Sequence, residues 1–217
     1  KLFKSYKMAL FFIFSMLLGA ALQLTNAYGD TYIADFGKGI PEDQLPWAVK
    51  YSEIIMSISQ ISETLFILAI PFFLRKFGIK KVMLMSMVAW VLRFGLFGFG
   101  SPEGWGLMLI ILSCIIYGMA FDFFNISGSL YVETQSDPKI RASAQGLFMM
   151  MTNGVGAVAG SLLAGFIIQE YFTPDGVNKD WPGIWFTFAA YALVVAVLFA
   201  VLFKHKHDPK AMQAIKH

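Results

Sequence analysis

Apolar residues run through this chain in six long stretches, separated by short polar segments that carry most of its charges. Met8–Tyr28, Ala142–Gln169 and Trp181–Phe203 hold no charged residue, Ile54–Leu74 holds only Glu63, Val82–Phe99 only Arg93, and Trp105–Val132 only Asp122. A helix crossing the hydrocarbon core of a bilayer needs about 20 mostly apolar residues. The pattern therefore predicts an all-α membrane protein with spans at about 8–28, 54–74, 82–99, 105–132, 142–169 and 181–203. Membrane β-strands alternate between lipid-facing and lumen-facing residues over about ten positions, and no stretch here does so. The chain reads as one domain, residues 1–217, a six-helix transmembrane bundle.

Composition strengthens that reading. The 217 residues are 57% hydrophobic and 14% charged, with 22 Phe, against roughly 25% charged residues in soluble domains. A soluble globule and a disordered chain are both excluded. The net charge of +3 gives no electrostatic footprint for a nucleic-acid partner. The single cysteine, Cys114, lies inside an apolar run; it rules out an internal disulfide and reads as a small buried hydrophobe. No cleavable signal peptide is evident, and a start at Lys1 rather than Met raises the expectation that the chain is a piece of something longer.

The basic residues set an orientation. Thirteen of the seventeen Lys and Arg fall on one side: Lys1, Lys4 and Lys7; Arg75, Lys76, Lys80 and Lys81; Lys139 and Arg141; Lys204, Lys206, Lys210 and Lys216. The opposite loops hold only Lys38, Lys50 and Lys179. The positive-inside rule then places both ends of the chain in the cytoplasm. The first opposite loop, roughly 29–53, is punctuated by Gly39, Pro41 and Pro46. His205 and His207, in the Lys-rich tail, read as part of a solvated positive flank rather than as metal ligands.

Polar groups at bilayer depth are costly and need a reason. In the first span Ser15, Gly19, Gln23 and Asn26 share one helical face; in the second Glu53, Ser57, Gln60, Glu63 and Thr64 do so. In the fourth, Tyr117 and Phe121 stand one turn apart beside a strip of Asp122, Asn125 and Ser129. Singly, such residues serve as interhelical hydrogen-bonding glue. Together, Gln23, Asn26, Gln60 and Glu63 exceed what packing requires and predict a wet cavity, with Tyr117 and Phe121 placed to stack on a flat solute. Arg93 and Asp122 lie at similar depth on consecutive spans, so an ion pair is expected, either purely structural or one in which Asp122 exchanges a proton and Arg93 senses its charge. The fifth span carries Gly146, Gly154, Gly156, Gly160 and Gly165, a face for close helix packing.

Enzymatic machinery is missing. No His or Lys lies in a span, HExxH and GxSxG do not occur, and no Gly-rich phosphate loop ends in Lys-Ser/Thr. No catalytic residue, metal site or cofactor is expected; acid–base traffic on Glu63 or Asp122, driven by a proton gradient, is what remains.

Several polar blocks carry a family resemblance: Leu22-Gln-Leu-Thr-Asn26, Ser59-Gln-Ile-Ser-Glu-Thr64, Ala89-Trp-Val-Leu-Arg-Phe-Gly95, Ala120-Phe-Asp-Phe-Phe-Asn-Ile-Ser-Gly128 and Ile140-Arg-Ala-Ser-Ala-Gln-Gly146. In these the chain resembles the C-terminal six-helix half of the nucleoside:proton symporters of the major facilitator superfamily. The basic loop Arg75-Lys-Phe-Gly-Ile-Lys-Lys81 fits as well, although Arg75 stands where many superfamily members have Asp. The resemblance implies a half-bundle of a twelve-helix carrier in a bacterial inner membrane, normally preceded by a second six-helix half in the same chain. It implies a nucleoside site at Gln23, Asn26, Gln60, Glu63, Tyr117 and Phe121, with Glu63, Asp122 and Arg93 as candidates for proton coupling. A carrier of sugars or other small polar solutes, and a non-transporting six-helix subunit, are the alternative readings.

Overall fold

The computed structural model describes residues 5–205. The predicted tail positions Lys1, Lys4, Lys206, His207, Lys210 and Lys216 lie outside them. Every regular element among the described residues is helical. The main ones are α1 (Tyr6–Asp35), the short α2 (Trp47–Lys50), α3 (Ser52–Gly98), α4 (Gly104–Gln135), α5 (Arg141–Met149), α6 (Ala157–Tyr171) and α7 (Trp181–Leu202). A π-helical segment, Met150–Gly156, joins α5 to α6 into one continuous rod. Among the described residues, five helical stretches are long and apolar enough to cross a membrane.

The predicted second and third spans are fused in α3. Its 47 residues would extend about 70 Å if straight, more than twice the roughly 30 Å of a bilayer core. It is not straight. Gly78 sits at φ 76°, ψ 168°, a conformation open to glycine alone, and divides α3 into an arm before it and an arm after it. Both arms pack on α4, in opposite senses. In the first arm, Ser62 donates to the Ile115 carbonyl and Phe66 and Phe73 both contact Phe123, so this arm runs parallel to α4. In the second arm, Ser86 donates to the Ala120 carbonyl and Ser113 to the Arg93 carbonyl, 3.0 Å, so it runs antiparallel. The two arms thus form a hairpin with almost no loop, which explains why the expected break at 75–81 contains only one non-helical residue.

Aromatic clusters weld the bundle at both ends. Phe11 packs against Tyr131, Phe148 and Phe203 near the basic end. At the other end Tyr32 contacts Phe97, Trp181 and Trp185, and its hydroxyl donates to the Phe97 carbonyl at 2.7 Å. The Asp35 carboxylate accepts from the Trp181 indole at 3.0 Å and pairs with Lys38 at 3.1 Å, clasping the end of α1 to the start of α7. In the exposed loop before α7, N–H donors of Asn178 and Val177 converge on Asp175 and hold its carboxyl down at about 2.

Gly156 and Gly160 of the fifth span meet α1, as close packing requires, whereas a Cβ at Gly146 would meet nothing within 4 Å and one at Gly154 only Met150 of its own segment. A Cβ at Gly160 would lie 2.5 Å from Ala20 Cα, one at Gly156 would overlap the Met16 carbonyl, and one at Gly19 would overlap the Thr152 carbonyl. The π-helical turn at this crossing has no counterpart in the sequence reading. The helix α1 also continues to Asp35, seven residues past the predicted Tyr28, so the loop expected from Gly29 begins later.

Candidate functional site

Helical spacing brings polar residues of α1, both arms of α3 and α4 to one open cleft of about 1070 Å³. Asn26 comes from α1, Ser57, Gln60 and Glu63 from the first arm of α3, Arg93 from the second arm, and Tyr117 from α4. Glycine sets the central contact. At Gly118 the backbone of α4 meets that of α3, where a Cβ would lie 2.6 Å from the Ser62 carbonyl carbon. That approach brings Glu63, next to Ser62, and Tyr117, next to Gly118, into the same wall. Asn26 and Gln60 are exposed and Glu63 is half-buried, so the cleft presents two amides and a carboxylate to whatever enters it.

The guanidinium of Arg93 is fully buried in that wall. It donates to the Ser113 carbonyl at 2.7 Å, approaches the Thr25 hydroxyl at 3.5 Å, and lies over the rings of Tyr117 and Phe97 at 4.6 and 4.9 Å. The expected ion pair with Asp122 does not form. The hydrogen bonds between α3 and α4 place Arg93 level with Ser113, and Asp122 level with Leu84. Nine residues of helix, about 14 Å, separate the two charges. Counting depth from the ends of the predicted spans missed this offset, because α4 runs on to Gln135 at the basic end while the predicted start of the second arm, Val82, is level with Phe124. Asp122 is buried outside the cleft, and its Oδ2 has no partner among the described residues.

Phe121 and Tyr117 lie ring to ring, 5.8 Å apart and within 3° of parallel. With the guanidinium over one part of the Tyr117 ring and only 9% of the residue exposed, Tyr117 has little open face to offer. Phe121 is more accessible and lines a second cleft of about 920 Å³ on the side of the basic helix ends. Gln23 is half-buried and lines neither cleft. Its stripe on α1 divides in two. Ser15 bonds to its own helix at Phe11 and Gly19 packs on Thr152, while Asn26 reaches the cleft. Thr64, on the predicted stripe of α3, bonds back to the Gln60 carbonyl at 3.1 Å and stays outside the cleft.

The sequence reading passed over three residues at this site. Thr25 and Asp30 line the cleft, and Asp30 accepts from Ser52 at 2.8 Å across its mouth; Thr25 lies inside the predicted span beside Asn26, and Asp30 sits two residues beyond its predicted end. Asn153 lines the second cleft, from inside the π-helical turn.

Comparison with known proteins adds a consistent picture. A family model described as "Nucleoside H+ symporter" matches residues 1–208. The xanthosine permease of Escherichia coli (strain K12) is 57% identical over 216 residues, covering 100% of this chain and 50% of that protein. The nucleoside permease NupG of the same organism is 53% identical over 218 residues, covering 100% of this chain and 51% of that protein. The crystal structure of the nucleoside transporter NupG superposes with a TM-score of 0.86 at 53% identity, over 94% of this chain and 50% of that one. The chain thus spans about half the length of the curated relatives it matches.

Proposed function

The chain belongs to the nucleoside H+ symporter family, and from that premise we propose that residues 1–217 are the C-terminal half of a proton-coupled nucleoside carrier. The two arms of α3 count as separate crossings in this reading, giving six spans, with the basic ends in the cytoplasm of a bacterium and the bundle in its inner membrane. A first six-helix half in the same natural chain would face the cleft and close the site, and rocking of one half against the other would expose it alternately to the two sides. No cofactor enters; the proton gradient supplies the driving force.

The observation that carries this reading is the cleft itself, where Asn26, Gln60 and Glu63 converge beside Tyr117. A nucleoside has hydroxyls and base edges for the amides and carboxylate, and a planar ring for an aromatic face. A few placed polar groups among apolar walls is the usual design for such a ligand. Gln23, which lines neither cleft, and Phe121, which lines the second, enter the proposed binding set on the family resemblance, and Glu63 and Asp122 are the acids proposed to carry the proton. Arg93 supplies positive charge in the wall that Glu63 shares. Saturable nucleoside binding by the purified full-length carrier, with free sugars inert as competitors, supports the reading; the reverse pattern replaces nucleosides with sugars as the substrate class.

Two outcomes follow. Phe121→Ala in the full-length carrier should weaken nucleoside binding by about 1–3 kcal/mol, the scale of base–aromatic stacking, as read by titration calorimetry. An unchanged affinity in a folded variant returns Phe121 to core packing. The half-chain alone, reconstituted in vesicles under a proton gradient, should give no nucleoside uptake, because its cleft has no facing wall. Robust uptake by a monomer overturns the two-half reading.

A further inference from the structure

We propose that Asn153, together with Asn125, forms a second solute-binding station below Phe121, where the amides hold a hydroxyl of the nucleoside sugar. The inference rests on the nucleoside reading above and extends it to a cleft and a helix that reading leaves unused. Phe121 stands between two clefts, the second a largely apolar one with a few placed polar groups. On one side lies the cleft of Glu63; on the other lies the second cleft, lined by Asn125, Ser129, Met149 and Asn153 and continuing toward the basic helix ends.

Asn153 is an exposed amide in the middle of a span, where an unpartnered polar group facing lipid is costly. Among the described residues its Nδ2 reaches only the Met149 sulfur, at 4.0 Å, a weak acceptor. The backbone around it is specialised. Asn153 lies within the π-helical turn Met150–Gly156, a widened turn of a kind that occurs frequently at functional sites. Its neighbour Thr152 is buried, with its hydroxyl bonded to the Phe148 carbonyl at 2.9 Å and its own carbonyl against Gly19. The turn is therefore anchored on α1 by one residue while the next residue lines the cleft. Across that space Asn125 donates to the Phe121 carbonyl at 3.0 Å, which leaves its side-chain oxygen as an acceptor.

Primary amides donate and accept, as sugar hydroxyls do, and every nucleoside carries those hydroxyls whatever its base. A pair of amides beside an accessible ring can hold the sugar while the base remains against Phe121. A solute leaving the upper cleft toward the basic end would then exchange one set of hydrogen bonds for another without an unpaired interval.

The test uses the full-length carrier and four probes: uridine and its 2′-deoxy, 3′-deoxy and 5′-deoxy analogues. Asn153→Ala should weaken uridine binding roughly three- to tenfold, the range for one neutral hydrogen bond. It should leave unchanged the affinity of the one analogue that lacks the hydroxyl Asn153 holds, and Asn153→Ser should recover part of the loss. Unchanged uridine binding in Asn153→Ala overturns the proposal, as does an equal loss for all four probes, which marks a structural role. A wild-type carrier that binds none of the four overturns the nucleoside reading and this inference with it, an outcome distinct from wild-type binding that is indifferent to Asn153.

Discussion

Glu63→Gln, made in the full-length carrier, is expected to bind nucleoside at least about tenfold more weakly and to lose pH-dependent accumulation. The substitution keeps the shape of the side chain and a hydrogen-bonding end, so the cleft walls need not move. What it removes is the charge and the titration. An ionised carboxylate accepts in two directions, and hydrogen bonds to a charged group contribute about 1.5–3 kcal/mol each; Gln replaces one of those acceptors with a donor. Glu63 sits half-buried where Gln60, Arg93 and Tyr117 share a wall, so a proton on it would alter the site that the solute touches. That juxtaposition gives proton coupling a direct route. Uptake into vesicles with and without an inward proton gradient separates the two effects. If Glu63→Gln still accumulates nucleoside with unaltered pH dependence, Glu63 is not the coupling acid. Asp122→Asn then decides, since Asp122 is the other acid within the predicted spans and its buried Oδ2 is unpartnered among the described residues.

Most of this arrangement could be read from residue spacing because a helix imposes one period on everything it carries. Asn26, Gln60, Glu63 and Tyr117 were visible as stripes that could not face lipid, and they meet in one cleft. Family resemblance pointed to the same positions. What spacing could not give is the relative height of two helices. Arg93 and Asp122 have similar depths counted from the ends of their own spans, yet the serine–carbonyl contacts between α3 and α4 offset them by nine residues. Register between helices is a tertiary quantity, set here by Ser86, Ser113 and the aromatic packing around them. The hairpin at Gly78 was also hidden, since Arg75-Lys-Phe-Gly-Ile-Lys-Lys81 looks like an ordinary loop. Its residues other than Gly78 have no turn chemistry and simply remain helical. The π-helical turn has no compositional signature, so Asn153 could not be placed until the backbone around it was known.

Gly19→Leu should cripple the carrier more thoroughly than any change in its cleft, because the obstacle it meets is backbone. A Cβ at Gly19 already overlaps the Thr152 carbonyl, and Thr152 is held in turn by its hydroxyl bonds to Phe148 and Met149. Extra side-chain volume in a packed interior typically costs about 1–3 kcal/mol. Here the upper end or beyond is expected, since no side chain can rotate aside and the α1 crossing must open from Met16 to Ala20. The crossing also anchors the π-helical turn, so separating it should disturb the second cleft as well as lower the melting temperature. Gly146→Ala is the matched control. Gly146 lies on the fifth span, against which Gly19 packs, but its added Cβ would meet nothing within 4 Å, and replacing a helical glycine by alanine stabilises by up to about 1 kcal/mol. Thermal unfolding of the two variants in detergent should therefore move in opposite directions, with uptake lost only in Gly19→Leu. A Gly19→Leu carrier that melts and transports like the wild type would show that α1 and the fifth span do not meet at this point, and would remove the anchor argued for Asn153.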